Sequence, residues 1–581
     1  MVRGEDNISM TNQQQQHSSQ QRLASLIQQL KQQASPSSWS SPSRAKSDFS
    51  SPQHRNDVDF IFNVTSLGVL KGKRSPSLNF RSFKNIPYAQ SPVGSRRWND
   101  PVPISTPLQG VLDATQFGPQ CPQNCLLPKG LCAETMSEDC LTLNVYTPDQ
   151  LGNGSLPVMV FIPGGHFDMG TANCALYDGG YFVGKTNVIL VTINYRLGAL
   201  GYLVNSKNGL RGNFALKDQR LALKWVQRFI DRFGGNPNSV TIFGESAGAG
   251  SVTALLMNKE SWPLFHKAIL QSNPLALPFR DISSSDQLGD RFIRESGCQK
   301  SENTLQCIQN LKWQDVVEIG DSASNHLNIW HPIISFMPWT PCLDGKELFE
   351  QPLDAFKNGN YAKVPMIMGT LSEEAIMFVY LALSNPLPFY EYDGALIALF
   401  GLFDYSKVHS LYPPTSGSDQ RVEFSILGTD YIFTAPTRNA LMNIHNHQPN
   451  IPVYLFEFNH TLSFSSEAWM PRYPFCVGHV CHGSELPILF HSSELLNLPL
   501  MPQEEELSAA MMNYWTNFAK TSNPNLSSST YSTQNVPTYW EQFTPSNLLN
   551  MELQTPKVFM NYGLRKQKLD MFDSIGYHHG Y

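Results

Sequence analysis

Five consecutive residues, Gly244-Glu245-Ser246-Ala247-Gly248, set a hydroxyl between two glycines, and their neighbours give that hydroxyl a use. The chemistry is attack of a serine oxygen on an acyl carbon, which requires the side chain to project from a sharp corner. Val240-Thr241-Ile242-Phe243, just upstream, is β-branched and aromatic and reads as a buried strand. Ala247 to Met257 is rich in Ala, Leu and Met and reads as a helix. A strand-to-helix turn this tight leaves no room for side chains at the flanking positions, so glycines occupy them. Strand, G-x-S-x-G and helix together predict a strained turn that presents Ser246 at the top of a sheet as the nucleophile of a hydrolase.

A serine hydroxyl needs a base to take its proton, and the base is usually a histidine oriented by a carboxylate. For a serine on such a turn, the expected chain order is Ser, then Asp or Glu, then His. Of 15 histidines, two stand together in Gly478-His479-Val480-Cys481-His482-Gly483-Ser484-Glu485-Leu486. His482 precedes a glycine, which suits a loop presenting an imidazole; His479 competes, and spacing does not choose between them. Val364-Pro365-Met366-Ile367-Met368-Gly369 reads as a strand that leads into Thr370-Leu371-Ser372-Glu373-Glu374. A carboxylate just past a strand's carboxyl end is where the acid belongs, and either glutamate fits. The run ending at Ile162 enters Pro163-Gly164-Gly165-His166-Phe167, a glycine turn that exposes consecutive N–H groups. Such donors stabilise the oxyanion of acyl transfer by about 3–4 kcal/mol each.

These residues need a rigid frame. Val158-Met159-Val160-Phe161-Ile162 and Val188-Ile189-Leu190-Val191-Thr192-Ile193 read as strands, and Leu216 to Phe233 as a helix. Near-continuous apolar strands separated by helices predict an α/β fold with a central, mostly parallel sheet covered on both faces. From about Asp57 to residue 581 the composition is that of one globular unit. The longest apolar stretch, Ala395 to Phe403, lies between Asp393 and Asp404 and falls short of the ~18 residues of a membrane span. A net charge of -6 spread over 581 residues argues against a nucleic-acid partner. A serine nucleophile calls for an acyl substrate and for no metal or cofactor, and composition leaves the oligomeric state open.

Residues from Met1 to about Asn56 are rich in Gln, Ser and Pro and are expected to be disordered, with a short amphipathic helix over Arg22 to Gln33. They hold no apolar core of the roughly 7–15 residues found in a signal peptide. The ten cysteines point the other way. Cys121, Cys125, Cys132 and Cys140 crowd into one segment without nearby histidines, and Cys298 and Cys307 form a second group, which favours local disulfides and an oxidising compartment. Sequons at Asn63, Asn153, Asn459 and Asn525 are compatible with that compartment.

The chain from about Asp57 onward resembles the type-B carboxylesterase/lipase family, the cholinesterase-like branch of the α/β-hydrolases. The resemblance is carried by Ile86-Pro87-Tyr88-Ala89 with Pro92-Val93-Gly94, by Ser137-Glu138-Asp139-Cys140-Leu141-Thr142-Leu143-Asn144-Val145, and by Asn194-Tyr195-Arg196-Leu197-Gly198. Asp218-Gln219, Ala222-Leu223, Trp225-Val226 and Phe233-Gly234-Gly235-Asn236-Pro237 continue it into the serine turn. It implies Glu374 as the acid, His482 as the base, and the N–H groups of Gly165, His166 and Ala247 as oxyanion donors. It further implies a supporting network of Glu245, Ser272 and Glu485, and disulfides Cys121–Cys140 and Cys298–Cys307, which leaves Cys125 and Cys132 for an extra bridge. Arg97–Glu138 and Arg196–Asp218 resemble the family's structural ion pairs.

Departures from the family pattern bear on specificity. Pro163 replaces a His or Tyr, His166 replaces a Gly or Ala, and Ala375 replaces a glycine after the acid. A backbone donor does not depend on its side chain, but an imidazole at position 166 narrows or polarises the site. Cholinesterases hold their ammonium on a tryptophan in the first disulfide loop, whereas Cys121 to Cys140 contains no aromatic residue, so choline esters are not expected. By similarity, Phe279, Phe336, Met337 and Trp339 line the acyl side and suit a hydrophobic acyl group. The expected activity is therefore hydrolysis of a small-molecule carboxylic ester. Its rivals are a non-catalytic adhesion or storage protein on the same fold and a lipase acting on long-chain esters.

Overall fold

Apolar, β-branched runs alternating with amphipathic helices build one large sheet with helices on both faces. The computed structural model describes residues 57–128, 130–150, 155–325, 336–525 and 535–577. The expected disorder up to Asn56, the helix over Arg22 to Gln33 and the Asn153 sequon lie outside the described residues.

Among the described residues thirteen strands form the sheet. They are β1 (Val58–Val64), β2 (Gly68–Ser75), β3 (Phe80–Pro87), β4 (Val111–Asp113), β5 (Thr142–Pro148), β6 (Leu156–Ile162) and β7 (Ile189–Ile193). There follow β8 (Gly235–Glu245), β9 (Lys267–Gln271), β10 (Met366–Leu371), β11 (Val453–Phe458), β12 (Leu549–Leu553) and β13 (Phe559–Tyr562). Their spatial order is β1-β2-β3-β5-β7-β6-β8-β9-β10-β11-β12-β13, with β4 beside β2. The sheet is mixed. From β7 through β12 every neighbouring pair is parallel. The β1-β2-β3-β5-β7 margin and the β12-β13 pair are antiparallel. The parallel strands β6, β7, β9, β10 and β11 are buried along their whole length, because helices cover both faces.

Helix α1 (Phe214–Phe229) covers one face, with Leu223 and Val226 in the core beside Val252 and Leu255 of α2 (Ala247–Met257). The expected helix to Phe233 ends its α-helical part at Phe229 and tightens into a 3-10 turn, Ile230–Phe233, closed by left-handed Gly234. Between β10 and β11 the chain inserts α3 (Ala375–Ala382), α4 (Phe389–Leu411, broken at Gly401), α5 (Arg421–Gly428), a π-helical turn (Thr429–Thr434) and α6 (Ala435–His447). Helix α7 (Pro502–Thr521) packs Trp515 and Phe518 on the second face. Among the described residues no helix is long and apolar enough to cross a membrane.

Four disulfides are formed. Cys121–Cys140 and Cys298–Cys307 are those the resemblance implied. Cys125 and Cys132, whose pairing the sequence left open, form a third, and Cys476–Cys481 is a further one. Both ion pairs are buried and bidentate: Arg97 with Glu138 at 2.7 and 2.6 Å, and Arg196 with Asp218 at 2.7 Å through each nitrogen. Asn63 and Asn459 are exposed. The Asn525 amide is engaged at both ends with the Trp540 backbone.

Candidate active site

Register decides what meets at the sheet's carboxyl edge. Gly244 lies opposite Ile162 of β6, Glu245 opposite Gln271 of β9, and Gln271 opposite Gly369 of β10. The residues that follow these strands are therefore neighbours: Pro163 to Phe167, Ser246, Ser272, and Glu373 with Glu374.

Ser246 sits between β8 and α2 with φ 57° and ψ −125°, a left-handed conformation that a non-glycine residue adopts only under constraint. The flanking glycines are required by space. A Cβ on Gly244 would lie 2.6 Å from the Gly248 carbonyl carbon, and one on Gly248 would lie 2.1 Å from the Ile162 oxygen. The turn is pinned by the Ser246 N–H on the Gln271 carbonyl (2.9 Å) and the Gly250 N–H on the Ser246 carbonyl (2.9 Å).

The glycine turn after β6 comes close to the serine: a Cβ on Gly164 would stand 3.1 Å from that of Ser246. Gly165, His166 and Phe167 all have positive φ (115°, 60° and 63°), so the strand end curls into a cradle. The N–H groups of Gly165, His166 and Ala247 donate no hydrogen bond within the described residues. Tyr195 holds the turn from behind by donating to the Pro163 carbonyl at 2.7 Å.

The structure sorts the two glutamates and the two histidines into separate pairs. Glu374, fully buried at the start of α3, takes the Leu371 N–H on Oε1 (2.8 Å) and Nδ1 of His482 on Oε2 (2.6 Å). Glu373, half exposed, takes Nδ1 of His479 (2.9 Å) and the Val480 N–H (2.7 Å). Nε2 of His482 lies 2.9 Å from Oε1 of Glu245, within ion-pair range but not aligned as a hydrogen bond. Withdrawal from solvent presses the His482 pKa down; the charges of Glu245 and then Glu374 outweigh it and hold it well above the ordinary 6.5.

Behind this imidazole, Gln271 receives the Trp515 indole N–H (3.0 Å) and donates to Glu485 (2.9 Å). Burial, reinforced by Glu245 and Glu374, pushes the Glu485 carboxyl up to about 8. The Ser272 hydroxyl, also buried, makes no hydrogen bond within the described residues and follows Gln271 at a positive φ of 52°.

The His166 ring stacks on Phe378 of α3 (centroids 6.0 Å, planes 19° apart), and Phe378 in turn meets His482 edge-on at 5.0 Å. Phe433, from the π-helical turn, approaches His482 at 5.4 Å. Desolvation, and then the charge of His482, bring His166 down to about 4, so it is neutral across the physiological range. Sequence reasoning missed Phe378, Phe433, Gln271 and Trp515, whose roles arise only from packing. It also missed Cys476–Cys481, although two cysteines bracketing Gly478-His479 were a visible signal.

The acyl-side residues divide between two small cavities. Phe279 and Met337, with Phe167, Leu275 and Leu277, line an apolar one with room for about one water. Trp339 lines a polar one with Asp168, Asp321 and Asn124, and Phe336 borders neither. The first disulfide loop reaches the polar cavity through Pro122, Gln123 and Asn124, none of them aromatic.

A model of the Carboxylesterase family matches residues 61–572. The chain belongs to the carboxylesterase family. It is 37% identical to the Crystal protein of Dictyostelium discoideum, over 88% of this chain and 91% of that one. It is 32% identical to the para-nitrobenzyl esterase of Bacillus subtilis (strain 168), over 84% of this chain and 95% of that one. The solved structure of a thermophilic PNB esterase superposes with a TM-score of 0.72 at 29% identity, covering 88% of this chain and 99% of the other. Carboxylesterase membership makes this chain a carboxylic ester hydrolase with the α/β-hydrolase fold.

Proposed function

We propose that Ser246, His482 and Glu374 are the catalytic triad, acting on esters with a hydrophobic acyl group and not on choline esters. The observation that carries the reading is the buried 2.6 Å contact between His482 and Glu374, with Nε2 of the same imidazole 2.9 Å from Glu245, the residue before Ser246 in its strained turn. Neutral His482 is no longer drawn to the Glu245 carboxylate, which releases Nε2 to take the Ser246 proton. Ser246 Oγ then bonds to the ester carbon, and the N–H groups of Gly165, His166 and Ala247 receive the oxyanion. Glu374 orients the imidazole and balances the imidazolium charge. His482 returns its proton to the departing alcohol, and water hydrolyses the acyl-enzyme by the same route.

The test is covalent labelling of the full chain by a fluorophosphonate probe, with Ser246→Ala as control. Labelling lost in the variant supports the triad; an unlabelled, folded wild type overturns it.

Two other readings have a specific motive. A relative named for crystals suggests a stored, non-catalytic protein, which the probe would leave unmodified. The apolar lining beside Phe279 and Met337 suggests a lipase acting on long-chain esters, although the cavity, with room for about one water, would have to widen to admit such a chain. Comparing p-nitrophenyl acetate, butyrate and palmitate separates that reading from a short-chain preference.

A further inference from the structure

His482 lies directly after a six-residue ring closed by the Cys476–Cys481 disulfide. Both cysteines are fully buried, in a small cluster with Trp469, Tyr473 and Ile376. Ile376 belongs to α3, the helix that Glu374 begins, so the ring packs against the element that carries the acid. A second tie joins the same two loops: Glu373 accepts from Nδ1 of His479 and from the Val480 N–H, both inside the ring. The ring is further held by the Gly478 N–H on Ser465 Oγ (3.0 Å) and the His479 N–H on the Cys476 carbonyl (3.1 Å).

The contact between Nδ1 of His482 and Glu374 tolerates displacement of only a few tenths of an ångström, while its partners lie 108 residues apart. One hydrogen bond does not hold two loops in that register against the entropy of ordering them. We propose that the Cys476–Cys481 ring, clamped by Glu373, is the positioning device that sets His482 against Glu374. Cys476, Cys481, Glu373 and His479 touch no reacting atom; they act through the base.

The inference rests on the triad reading, and its test separates the two. Cys476→Ala/Cys481→Ala and, independently, Glu373→Gln are compared with wild type for kcat, KM and the far-downfield proton NMR signal of the His482–Glu374 hydrogen bond. A double variant lacking the distant Cys298–Cys307 bridge serves as control. The expected result is a fall in kcat of about 10²-fold for the ring variant and about tenfold for Glu373→Gln, with KM unchanged and the signal broadened or lost. The control keeps both kcat and the signal. Should the ring variant not fold, Glu373→Gln, which keeps the disulfide, carries the test. Wild-type kcat in both variants, or a fall in kcat with the signal intact, overturns the proposal. Turnover persisting in Ser246→Ala overturns the triad instead, because the NMR signal reports the His482–Glu374 bond whether or not an ester is hydrolysed.

Discussion

Oε1 of Glu245 lies 2.9 Å from Nε2 of His482, the nitrogen that in the proposed triad accepts the Ser246 proton. With Glu374 on the other nitrogen, the imidazole is held between two carboxylates, and its charged form is favoured despite burial. In the proposed triad the residue next to the nucleophile therefore competes with it for the base.

This competition sets the pH dependence. A base works only when neutral, and a raised pKa keeps it protonated to higher pH. Activity is thus lost as pH falls through a value above the ordinary 6.5. Glu245→Gln removes one of the two attractions, so the acidic limb of kcat/KM moves to lower pH. The measurement is a pH profile with p-nitrophenyl butyrate; a limb that stays put, or moves upward, would count against the arrangement.

Glu374→Gln keeps the shape of the acid but not its charge. Loss of the carboxylate that orients the imidazole is expected to lower kcat by about 10⁴-fold with little change in KM. Steady-state kinetics check this. A loss no larger than that of Glu373→Gln would mean that the two glutamates have been assigned the wrong roles.

Gly248→Ala tests the turn itself. The added carbon would stand 2.1 Å from the Ile162 oxygen and 3.0 Å from the Pro163 carbon, backbone atoms that cannot step aside without moving β6. Overpacking of this kind costs about 3 kcal/mol. Urea unfolding should show a lower midpoint at an unchanged m-value, and an unchanged midpoint would mean that the corner relaxes freely.

Substrate charge gives a fourth prediction. Recognition of an ammonium by an aromatic face is worth about 2 kcal/mol, and the Cys121–Cys140 loop supplies no such face. Acetylcholine and its uncharged isostere 3,3-dimethylbutyl acetate should be hydrolysed with similar kcat/KM. A strong preference for acetylcholine would point to the acidic cavity of Asp168 and Asp321 as a substitute.

Much of this was legible in the residues. Gly244 and Gly248 around Ser246, between β-branched and Ala-rich runs, already describe the corner, because the conformation of a tight turn is set by the residues within it. The Cys298–Cys307 pair and the helix beginning with Ala247 are likewise local. The sheet was expected to be mostly parallel; its antiparallel margin escaped notice, since strand direction depends on the connections and not on the strands' own residues.

Other features belong to tertiary structure alone. Spacing left His479 and His482 equivalent, and Glu373 and Glu374 likewise, and only the family resemblance implied His482 and Glu374. Only the approach of the loops after β10 and β11 puts Glu373 with His479 and Glu374 with His482. The stack of His166 on Phe378 joins residues more than two hundred positions apart, and neither residue's own neighbours foretell it. By itself the sequence determined the sharp turn that holds Ser246 between β8 and α2, because that depends on bond rotations within five residues. That the His482 imidazole lies between Glu374 and Glu245 was decided by strand order and register, which bring distant side chains to one edge of the sheet.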